Sequence, residues 1–443
     1  MHLPRPTPRN GAIALSALAV VVIAVVVALL VSGGSSGTSA GLSSPQRPIP
    51  KVSLKVAYQH HRTLPYAKRL RLSLKNGTFS AVSVTESTGQ SVAGTFNSSR
   101  SIWRSTDSFA PLTQLTSTVS YVDLGGRHTT RTWHDATTDS KKHIDALLSP
   151  GAGDSVGVGS PVVVTFDQVV PTSMRAAVEK RLAVTTSPYV VGAWHWMSDQ
   201  EVHWRPPTYW KTGTKVKISS DLQGLSLGHG IWGAQGHHST RFKVGASHIS
   251  EADVATDQMR VYDNGRLIRT LPFSAGAPEW PTKDGVHIAI EKSPTVIMDS
   301  ATVGIPKGSP NYYYEVVNWD VRISDGGAFV HSAPWSVAHQ GHTNVSHGCI
   351  NLSPTNAEWF YKWALRGDIV DVYNSAAPVN TADPGMADWN MSWKKWVAGD
   401  AAPTAAAKAL RPLLPHQDEP GFAPVHHAKH SKKHHHHHAK KST

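Results

Sequence analysis

The amino-acid sequence predicts a mainly β protein in which two β-sandwiches precede a β-rich third domain that carries one helix. Short segments of alternating apolar and polar residues recur from residue 51 onward, without a long stretch of helical periodicity. The Asn-Gly pairs at 76–77 and 264–265 each stand between two such segments, as hairpin turns do. One helical pattern stands out, and it follows Ser353 and Pro354. These observations favour packed sheets of short strands.

The two predicted sandwiches occupy residues 51–147 and 148–246, and a boundary rich in glycine and proline at 149–153 separates them. Both ranges contain short runs in which every second residue is apolar, which is the pattern of a half-buried strand. The candidate strands are 52–56, 70–74, 81–84, 162–166, 201–204 and 215–218. Short strands at close intervals, with no long helical period, favour a β-sandwich.

The third domain is predicted over residues 250–374. Its candidate strands are 258–263, 266–271, 286–290, 313–319, 328–331 and 369–373. Ser353 is the expected N-cap of the helix, Pro354 its first residue, and Gly367 its end. A tryptophan-rich extension at 375–411 is expected to pack on a domain surface. Residues 412–443, rich in lysine and histidine, are expected to be disordered because they contain little that could fill a core.

The N-terminus has the pattern of a membrane anchor. Residues 12–31 form an uncharged apolar run long enough to cross a bilayer as a helix, and Arg5 and Arg9 precede it. Positive charge before the span places the N-terminus in the cytoplasm and the remainder outside. We therefore expect a cytoplasmic stub and anchor at 1–31, retained rather than cleaved, and a flexible linker at 32–50.

The charge balance favours polyanionic surroundings such as a cell wall or membrane surface, since the formal net charge is +12. Nucleic acid is not an expected partner, because the body of the chain lacks a basic stripe interleaved with aromatic residues. The single cysteine excludes an intramolecular disulfide and a thiolate-rich metal site. No metal or cofactor is expected.

Cys349 is the only cysteine of 443 residues, and an exported protein rarely keeps an unpaired one. A lone cysteine is often a small buried hydrophobe, but here it follows Ser346, His347 and Gly348 in a loop. A thiol attacks a carbonyl as thiolate, so a base must remove its proton. His331 ends a predicted strand and is the favoured base, whereas His347 is too close in sequence for its ring to reach the sulfur easily.

The loop also suits stabilisation of a negative charge. The backbone N–H groups of His347, Gly348 and Cys349 can converge on one point, and glycine allows the turn that this requires. Converging donors stabilise the oxyanion of an acyl-transfer intermediate. Cys349 is therefore interpreted as the nucleophile of an acyl-transfer site.

The segment from His331 through Ser-Ala-Pro-Trp-Ser at 332–336 to Ser-His-Gly-Cys-Ile-Asn at 346–351 resembles the signature of bacterial L,D-transpeptidases in residue types and spacing. The resemblance extends over roughly 250–374. The layout is similar to the membrane-anchored branch of that family, in which two immunoglobulin-like domains precede the catalytic domain. It implies an enzyme that attacks the peptide bond before the terminal D-Ala of a tetrapeptide stem. The acyl group then passes to the side-chain amine of a diamino acid on a neighbouring peptidoglycan stem, giving a 3→3 cross-link.

The resemblance also implies roles for individual residues. Cys349 would be the nucleophile, His331 the base, and the Ser332 carbonyl the group that orients the imidazole. The amides of 347–349 would form the oxyanion hole with help from the Tyr313 hydroxyl. The donor pocket would be lined by Met298, Trp335 and Asn351. Residues 293–311, rich in Gly, Pro and Ser, would form a substrate lid, and carbapenems would inactivate the enzyme by acylating the sulfur.

Two alternatives remain at this point. One is a sortase-like or endopeptidase cysteine enzyme of the cell surface, although Arg366, the first arginine after Cys349, lies beyond the predicted helix. A papain-type enzyme would need its histidine after the cysteine, where histidines occur only in the tail. The other alternative is a non-catalytic wall-binding array with a degenerate third domain.

Overall fold

The structure, a computed structural model, describes residues 48–57 and 63–410. The predicted membrane segment at 12–31 and the predicted tail at 412–443 lie outside the described residues. Within those two ranges, no helix is long and apolar enough to cross a membrane.

Two four-stranded sheets pack face to face in the first domain. Its strands are β1 (Ser53–Val56), β2 (Thr63–Leu64), β3 (Arg71–Lys75), β4 (Gly77–Glu86), β5 (Gly94–Phe96), β6 (Ile102–Ser105), β7 (Gln114–Asp123) and β8 (His128–Thr137). One sheet has the order β1-β3-β6-β5 and the other β2-β8-β7-β4. Alternate residues of β3 and β7 face inward, and Leu72, Trp103 and Val119 are among the buried side chains. The sandwich therefore follows from the period-two pattern of the sequence.

The second domain repeats this architecture. Its elements are β9 (Lys142–Ile144), β10 (Ala146–Ser149), β11 (Ser155–Val156), β12 (Val162–Phe166), α1 (Arg175–Glu179), β13 (Leu182–Ser187), β14 (Ala193–Trp196), β15 (Glu201–Arg205), β16 (Lys215–Ser220), β17 (Ser226–Gly228), β18 (Ile231–Gly233) and β19 (His238–Val244). The main sheets have the orders β10-β12-β15-β14 and β11-β19-β16-β13. A small sheet, β17-β18-β9, lies beside them. The mainly β fold class predicted from the sequence is confirmed.

The third domain contains two sheets and one helix. Its elements are β20 (His248–Asp253), β21 (Gln258–Asp263), β22 (Arg266–Pro272), β23 (Gly285–Ile288), β24 (Glu291–Asp299), β25 (Tyr314–Arg322), β26 (Phe329–Ser332), β27 (Ile350–Leu352), α2 (Pro354–Trp363) and β28 (Ile369–Tyr373). The sheets have the orders β22-β21-β20-β28-β23 and β24-β25-β26-β27. Helix α2 packs against β25 and β26, and Val321, Val330 and Phe360 are buried between them.

The second and third domains share one apolar core. Ile249, Val286 and Ile369 of the third domain belong to the same buried cluster as the core of the second sandwich. At this seam the Gly157 N–H donates to the Arg366 carbonyl at 2.7 Å. A Cβ at Gly157 would lie 2.2 Å from Asp368 Oδ1, so only glycine allows the two backbones to approach this closely.

Helix α2 begins as predicted but ends earlier. Ser353 Oγ accepts a hydrogen bond from the Asn356 N–H at 3.3 Å, and Pro354 is the first helical residue. The predicted end at Gly367 is wrong, because the helix ends at Trp363 and Ala364 is already extended. Asp368 Oδ2 accepts a hydrogen bond from the Leu365 N–H, and Gly367, with φ of 90°, makes the turn into β28.

The tryptophan-rich extension packs on the second sandwich. It contains α3 (Pro384–Asn390), α4 (Trp393–Ala398) and α5 (Ala405–Ala409). The buried Arg205 guanidinium of β15 lies over the rings of Trp389, Trp393 and Trp396, with distances to their centroids of 4.8, 5.4 and 4.4 Å. Beside it, His203 lies between Asp388 and Glu201. The extension is thus attached through a buried polar and cation–π contact.

Candidate active site

The site lies on one face of the β24-β25-β26-β27 sheet. Strands β26 and β27 are parallel, and His331 is paired with Asn351. Cys349 comes immediately before β27, two residues before Asn351, whose side chain faces away from the core residues Ile350 and Leu352. Asn351 contacts the His331 imidazole, which places His331 on that face too. Cys349 and His331 are therefore diagonal neighbours on adjacent strands.

His331 is set up as a neutral base. The residue is 3% exposed, and its Nδ1–H donates to the Ser332 carbonyl at 3.0 Å. This bond assigns the proton to Nδ1 and leaves the lone pair on Nε2. Burial lowers the pKa of the imidazole to about 4, so it is uncharged at neutral pH and free to accept a proton.

Asn351 holds this imidazole through a short polar relay. Its Nδ2 donates to Ser336 Oγ at 3.2 Å, and Ser336 Oγ donates to the Ala333 carbonyl at 3.1 Å. These bonds fix the amide, and its proximity to His331 raises the pKa of the imidazole and favours the protonated form. Asn351 therefore acts on the base itself.

The Cys349 thiol is protonated in the resting site. Burial raises the pKa of the thiol to about 12, and the carboxyl of Asp320 contributes in the same direction. The sulfur lies 3.9 Å from the carbonyl of Gly327, which accepts the S–H. The residue is nevertheless partly exposed, so a substrate can reach it. The nucleophile must lose its proton during the reaction rather than before it.

A serine clamp shapes the loop before the sulfur. Ser346 Oγ accepts a hydrogen bond from the Gly348 N–H at 3.1 Å and donates to the Cys349 carbonyl at 2.7 Å. Gly348 has φ of 116°, a conformation that favours glycine, and Thr282 Oγ1 donates to its carbonyl. The Gly348 N–H is therefore engaged by a side chain, which differs from its predicted place in an oxyanion hole. The N–H groups of His347 and Cys349 are left as candidate donors.

The His347 ring packs against aromatic side chains of the site. Its ring centroid lies 4.4 Å from that of Trp280 and 4.8 Å from that of Tyr313, and both ring pairs are tilted. Burial and the neighbouring Cys349 raise the pKa of Tyr313 to about 12. The phenol therefore stays neutral and can donate a hydrogen bond near the sulfur.

Family models and known proteins both match this chain. Residues 247–372 match the model of the L,D-transpeptidase catalytic domain, and residues 62–226 match a bacterial Ig domain. L,D-transpeptidase 2 of Mycobacterium tuberculosis (strain CDC 1551 / Oshkosh) is 39% identical over 327 residues, which cover 74% of this chain and 79% of that protein. This chain belongs to the L,D-transpeptidase family. The resemblance predicted from the motif at 331–351 is thereby confirmed, and the sortase-like alternative is set aside.

Other L,D-transpeptidases match over different lengths. L,D-transpeptidase 5 of Mycobacterium tuberculosis (strain ATCC 25618 / H37Rv) is 34% identical over 408 residues, covering 90% of this chain and 87% of that one. A solved structure of the L,D-transpeptidase LdtMt1 in complex with imipenem is 38% identical. It covers 52% of this chain and 99% of that chain, with a TM-score of 0.46.

Two residues predicted to line the donor pocket of this L,D-transpeptidase, Trp335 and Met298, differ in their contacts with the catalytic pair. Trp335 is 52% exposed in a 3₁₀ turn, and its ring centroid is 6.3 Å from that of His331. Met298 lies partly exposed near the end of β24, paired with Glu315. Among the described residues, no hydrogen bond or ring contact joins Met298 to Cys349 or His331, so its pocket role stays a prediction.

The predicted lid at 293–311 contains part of a strand, and its role as a lid stays a prediction. Residues 293–299 belong to β24, and only the 3₁₀ turn Ser300–Val303 and the loop at 304–313 lie between β24 and β25. Pro294 lies within β24, which is an edge strand, where the missing N–H of proline is tolerated.

Several site residues of this transpeptidase were missed from the sequence. Ser346 is part of the motif, and its position two residues before Gly348 was the signal that could have identified it. Trp280 and Thr282 come from a separate loop, and Asp320 comes from β25. No local pattern links them to the cysteine. Among the described residues, no group of three or more His, Cys, Asp or Glu could hold a metal ion.

Proposed function

We propose that this L,D-transpeptidase forms 3→3 peptidoglycan cross-links through a thioester on Cys349, with His331 as the general base. The donor is a tetrapeptide stem, and its carbonyl before the terminal D-Ala is the electrophile. Tyr313, Trp335, Asn351 and Met298 are the residues proposed to contact the donor. The observation that carries the proposal is the pairing of His331 with Asn351 on adjacent strands, with Cys349 two residues before Asn351.

The first half-reaction transfers the acyl group to sulfur. Nε2 of His331 takes the Cys349 proton, and the thiolate attacks the carbonyl carbon as the C–S bond forms. The N–H groups of His347 and Cys349, with the Tyr313 hydroxyl, stabilise the oxyanion. The intermediate then expels the amine of D-Ala, which receives the proton held on His331.

The second half-reaction releases the enzyme. The side-chain amine of a diamino acid on a second stem attacks the thioester carbon and passes its proton to His331. The C–S bond breaks, and the thiolate recovers that proton as the cross-link leaves. The low basicity of the buried imidazole helps here, because a weak base returns its proton readily.

Cys349→Ala tests this proposal directly. The variant is expected to keep its fold and to release no D-Ala from tetrapeptide muropeptides, while intact-mass spectrometry shows no meropenem adduct. The wild-type protein should gain one adduct on the peptide that contains Cys349. A wild-type protein that binds sacculi but is never acylated would instead support the non-catalytic wall-binding array.

We further propose that residues 1–31 anchor the enzyme in the membrane with its catalytic domain on the outer side. The support is the uncharged apolar run at 12–31 preceded by Arg5 and Arg9. In cell fractionation, the full chain should remain with membranes after a high-salt wash, and deletion of 1–31 from a chain with a cleavable export signal should release it. Retention of the deleted form on membranes would contradict the anchor.

A further inference from the structure

A buried carboxyl lies beside the catalytic histidine. Strand β25 pairs Asn318 with Ser332 and Val321 with Val330, so Trp319 and Asp320 both face the single residue His331. This is a β-bulge, and Trp319 takes the positive φ of 60° that the extra residue demands. Val321 and Val330 point into the core under α2, so Asp320 points to the opposite face, where His331 lies.

The Asp320 side chain is placed at an energetic cost that its surroundings do not offset. Its exposure is 0%, and neither carboxyl oxygen has a hydrogen-bond partner among the described residues. Buried polar groups are almost always paired, so an orphaned carboxyl next to a catalytic base points to a role in the reaction.

We propose that Asp320 is a positioning residue of the acylation step, whose carboxylate stabilises the His331 imidazolium that forms when Cys349 gives up its proton. This inference rests on the proposed function. In the strand register, Asp320 lies one strand from His331 and two strands from β27, which follows Cys349. The carboxyl also raises the pKa of the Cys349 thiol, so the proposed role requires its attraction to the imidazolium to outweigh its repulsion of the thiolate.

The titratable groups that lie near Asp320 on the neighbouring segments are His331 and Cys349. Opposite it on β24 lies the uncharged Ser293. The two neighbouring cations are engaged elsewhere: Lys292 Nζ donates to the Ala364 carbonyl, and Arg322 donates to the carbonyls of Ser324 and Asp325.

The proposed role of Asp320 predicts a specific pH dependence of the acylation rate. Burial raises the pKa of Asp320 from 3.8 to about 7, so its carboxylate forms as pH rises through neutrality. The wild-type acylation rate should rise over that interval. Because the folded-state pKa is raised, ionisation also destabilises the fold as pH rises from 3.8 to about 7.

Asp320→Asn, with Asp320→Ser as a second variant, tests this. With meropenem as the probe, the Asp320→Asn enzyme is expected to acylate about tenfold more slowly than wild type at pH 8 and to lack the rise near neutrality. Its free energy of unfolding above neutral pH should equal or exceed the wild-type value. A wild-type rate profile in both variants would overturn the role. Failure of the proposed function would look different, since wild type itself would then gain no adduct.

A second, independent observation concerns the outer face of the β11-β19-β16-β13 sheet. Lys215 lies directly opposite Lys243, and Lys217 directly opposite Arg241. Among the described residues, none of these four forms an ion pair, and like charges directly opposite each other destabilise a sheet. With Thr185 they border an open depression of about 520 Å³, whose lining also includes Asp154, an acid that accepts a hydrogen bond from the Gly151 N–H.

The surroundings of this basic face favour a polymer that carries both anions and sugar rings. Thr185 and Ser187 of β13 lie opposite Lys217 and Lys215 and extend the face with hydroxyl groups. Tyr189, just beyond β13, is 80% exposed and offers a flat ring for stacking on a sugar. Four cations on two strands match a substrate with repeated carboxylates.

We also infer, on the basis of the proposed function, that this face binds the carboxylate-bearing stem peptides and glycan of peptidoglycan. The test removes its four cations together, as K215Q, K217Q, R241Q and K243Q. The matched control removes four exposed cations of the first domain, K55Q, R71Q, K75Q and R104Q, which include only one directly opposed pair, Arg71 and Arg104.

In sedimentation with purified sacculi at low salt, the first variant is expected to bind about tenfold more weakly and the control within about twofold of wild type. Acylation by meropenem should be unchanged in both, which separates this inference from the proposed catalysis. Equal losses in both variants, no loss in either, or a loss seen only toward anionic lipid vesicles would overturn it.

Discussion

Ser346→Ala removes one oxygen that joins the two residues around the nucleophile. The hydroxyl makes two hydrogen bonds, one from the Gly348 N–H and one to the Cys349 carbonyl. Each bond contributes about 0.5–1.5 kcal/mol net, so the variant should be less stable by about 1–3 kcal/mol.

The larger expected effect is on the reaction. Without the clamp, the loop at 346–349 gains freedom, and the sulfur no longer holds its place relative to His331. A displacement of about 1 Å can lower the rate about 100-fold, so we expect acylation by meropenem to slow by roughly 10- to 100-fold.

Ser353→Ala is the matched control. Ser353 caps α2 by accepting the Asn356 N–H, and its loss should cost about 1 kcal/mol without touching the loop that carries the sulfur. Urea unfolding gives the stability of both variants, and stopped-flow fluorescence with intact mass gives the acylation rates. The reasoning is refuted if Ser346→Ala acylates at the wild-type rate, or if Ser353→Ala is equally slow.

Two further perturbations test other parts of the structure. Gly348→Ala should destabilise the protein by about 1–3 kcal/mol, because its backbone φ of 116° favours glycine. A steric clash does not contribute, since a Cβ there would meet only Trp280 O, at 3.7 Å. An unchanged urea midpoint would contradict this prediction. His203→Gln should cost about 3–5 kcal/mol near pH 6 because it leaves buried Asp388 without its partner. Burial lowers the pKa of His203, but Asp388 and Glu201 raise it to about 10. The stabilisation is therefore full below 6.5 and lost as pH rises through about 10. Guanidinium unfolding at several pH values should show that the variant loses less stability than wild type as pH rises to alkaline values. An equal loss of stability in both proteins would contradict the prediction.

Local signals in the sequence were sufficient where the structure depends on neighbours along the chain. The N-cap of α2 was predictable because Ser353 and Pro354 act within one turn. The strands of the sandwiches were predictable because burial alternates along them. The catalytic pair was predictable because the motif at 331–351 fixes residue types and spacing.

Contacts between distant segments could not be predicted. Trp280 reaches His347 from 67 positions earlier, and Asp320 reaches the face of His331 only because β25 carries a bulge. The strand at 293–299 could not be predicted for a similar reason, since Pro294 disfavours a strand by local rules but is tolerated at the sheet edge. Each of these depends on strand pairing, which one sequence does not display.

The hydrogen bond from the Gly348 N–H to Ser346 was also not predicted from the sequence. Sequence reasoning gave the loop three donors for an oxyanion, but a side-chain oxygen two residues away takes one of them. The serine of the motif thus shapes the loop, and the glycine is needed for its positive φ.

The most direct test of the catalytic pair is the rate of Cys349 acylation in His331→Gln, followed by intact mass with meropenem at pH 7. Because the thiol is protonated at rest, the variant should form the adduct at least about 100-fold more slowly than wild type while retaining its unfolding midpoint. A folded variant that is acylated at the wild-type rate would show that another group deprotonates the sulfur.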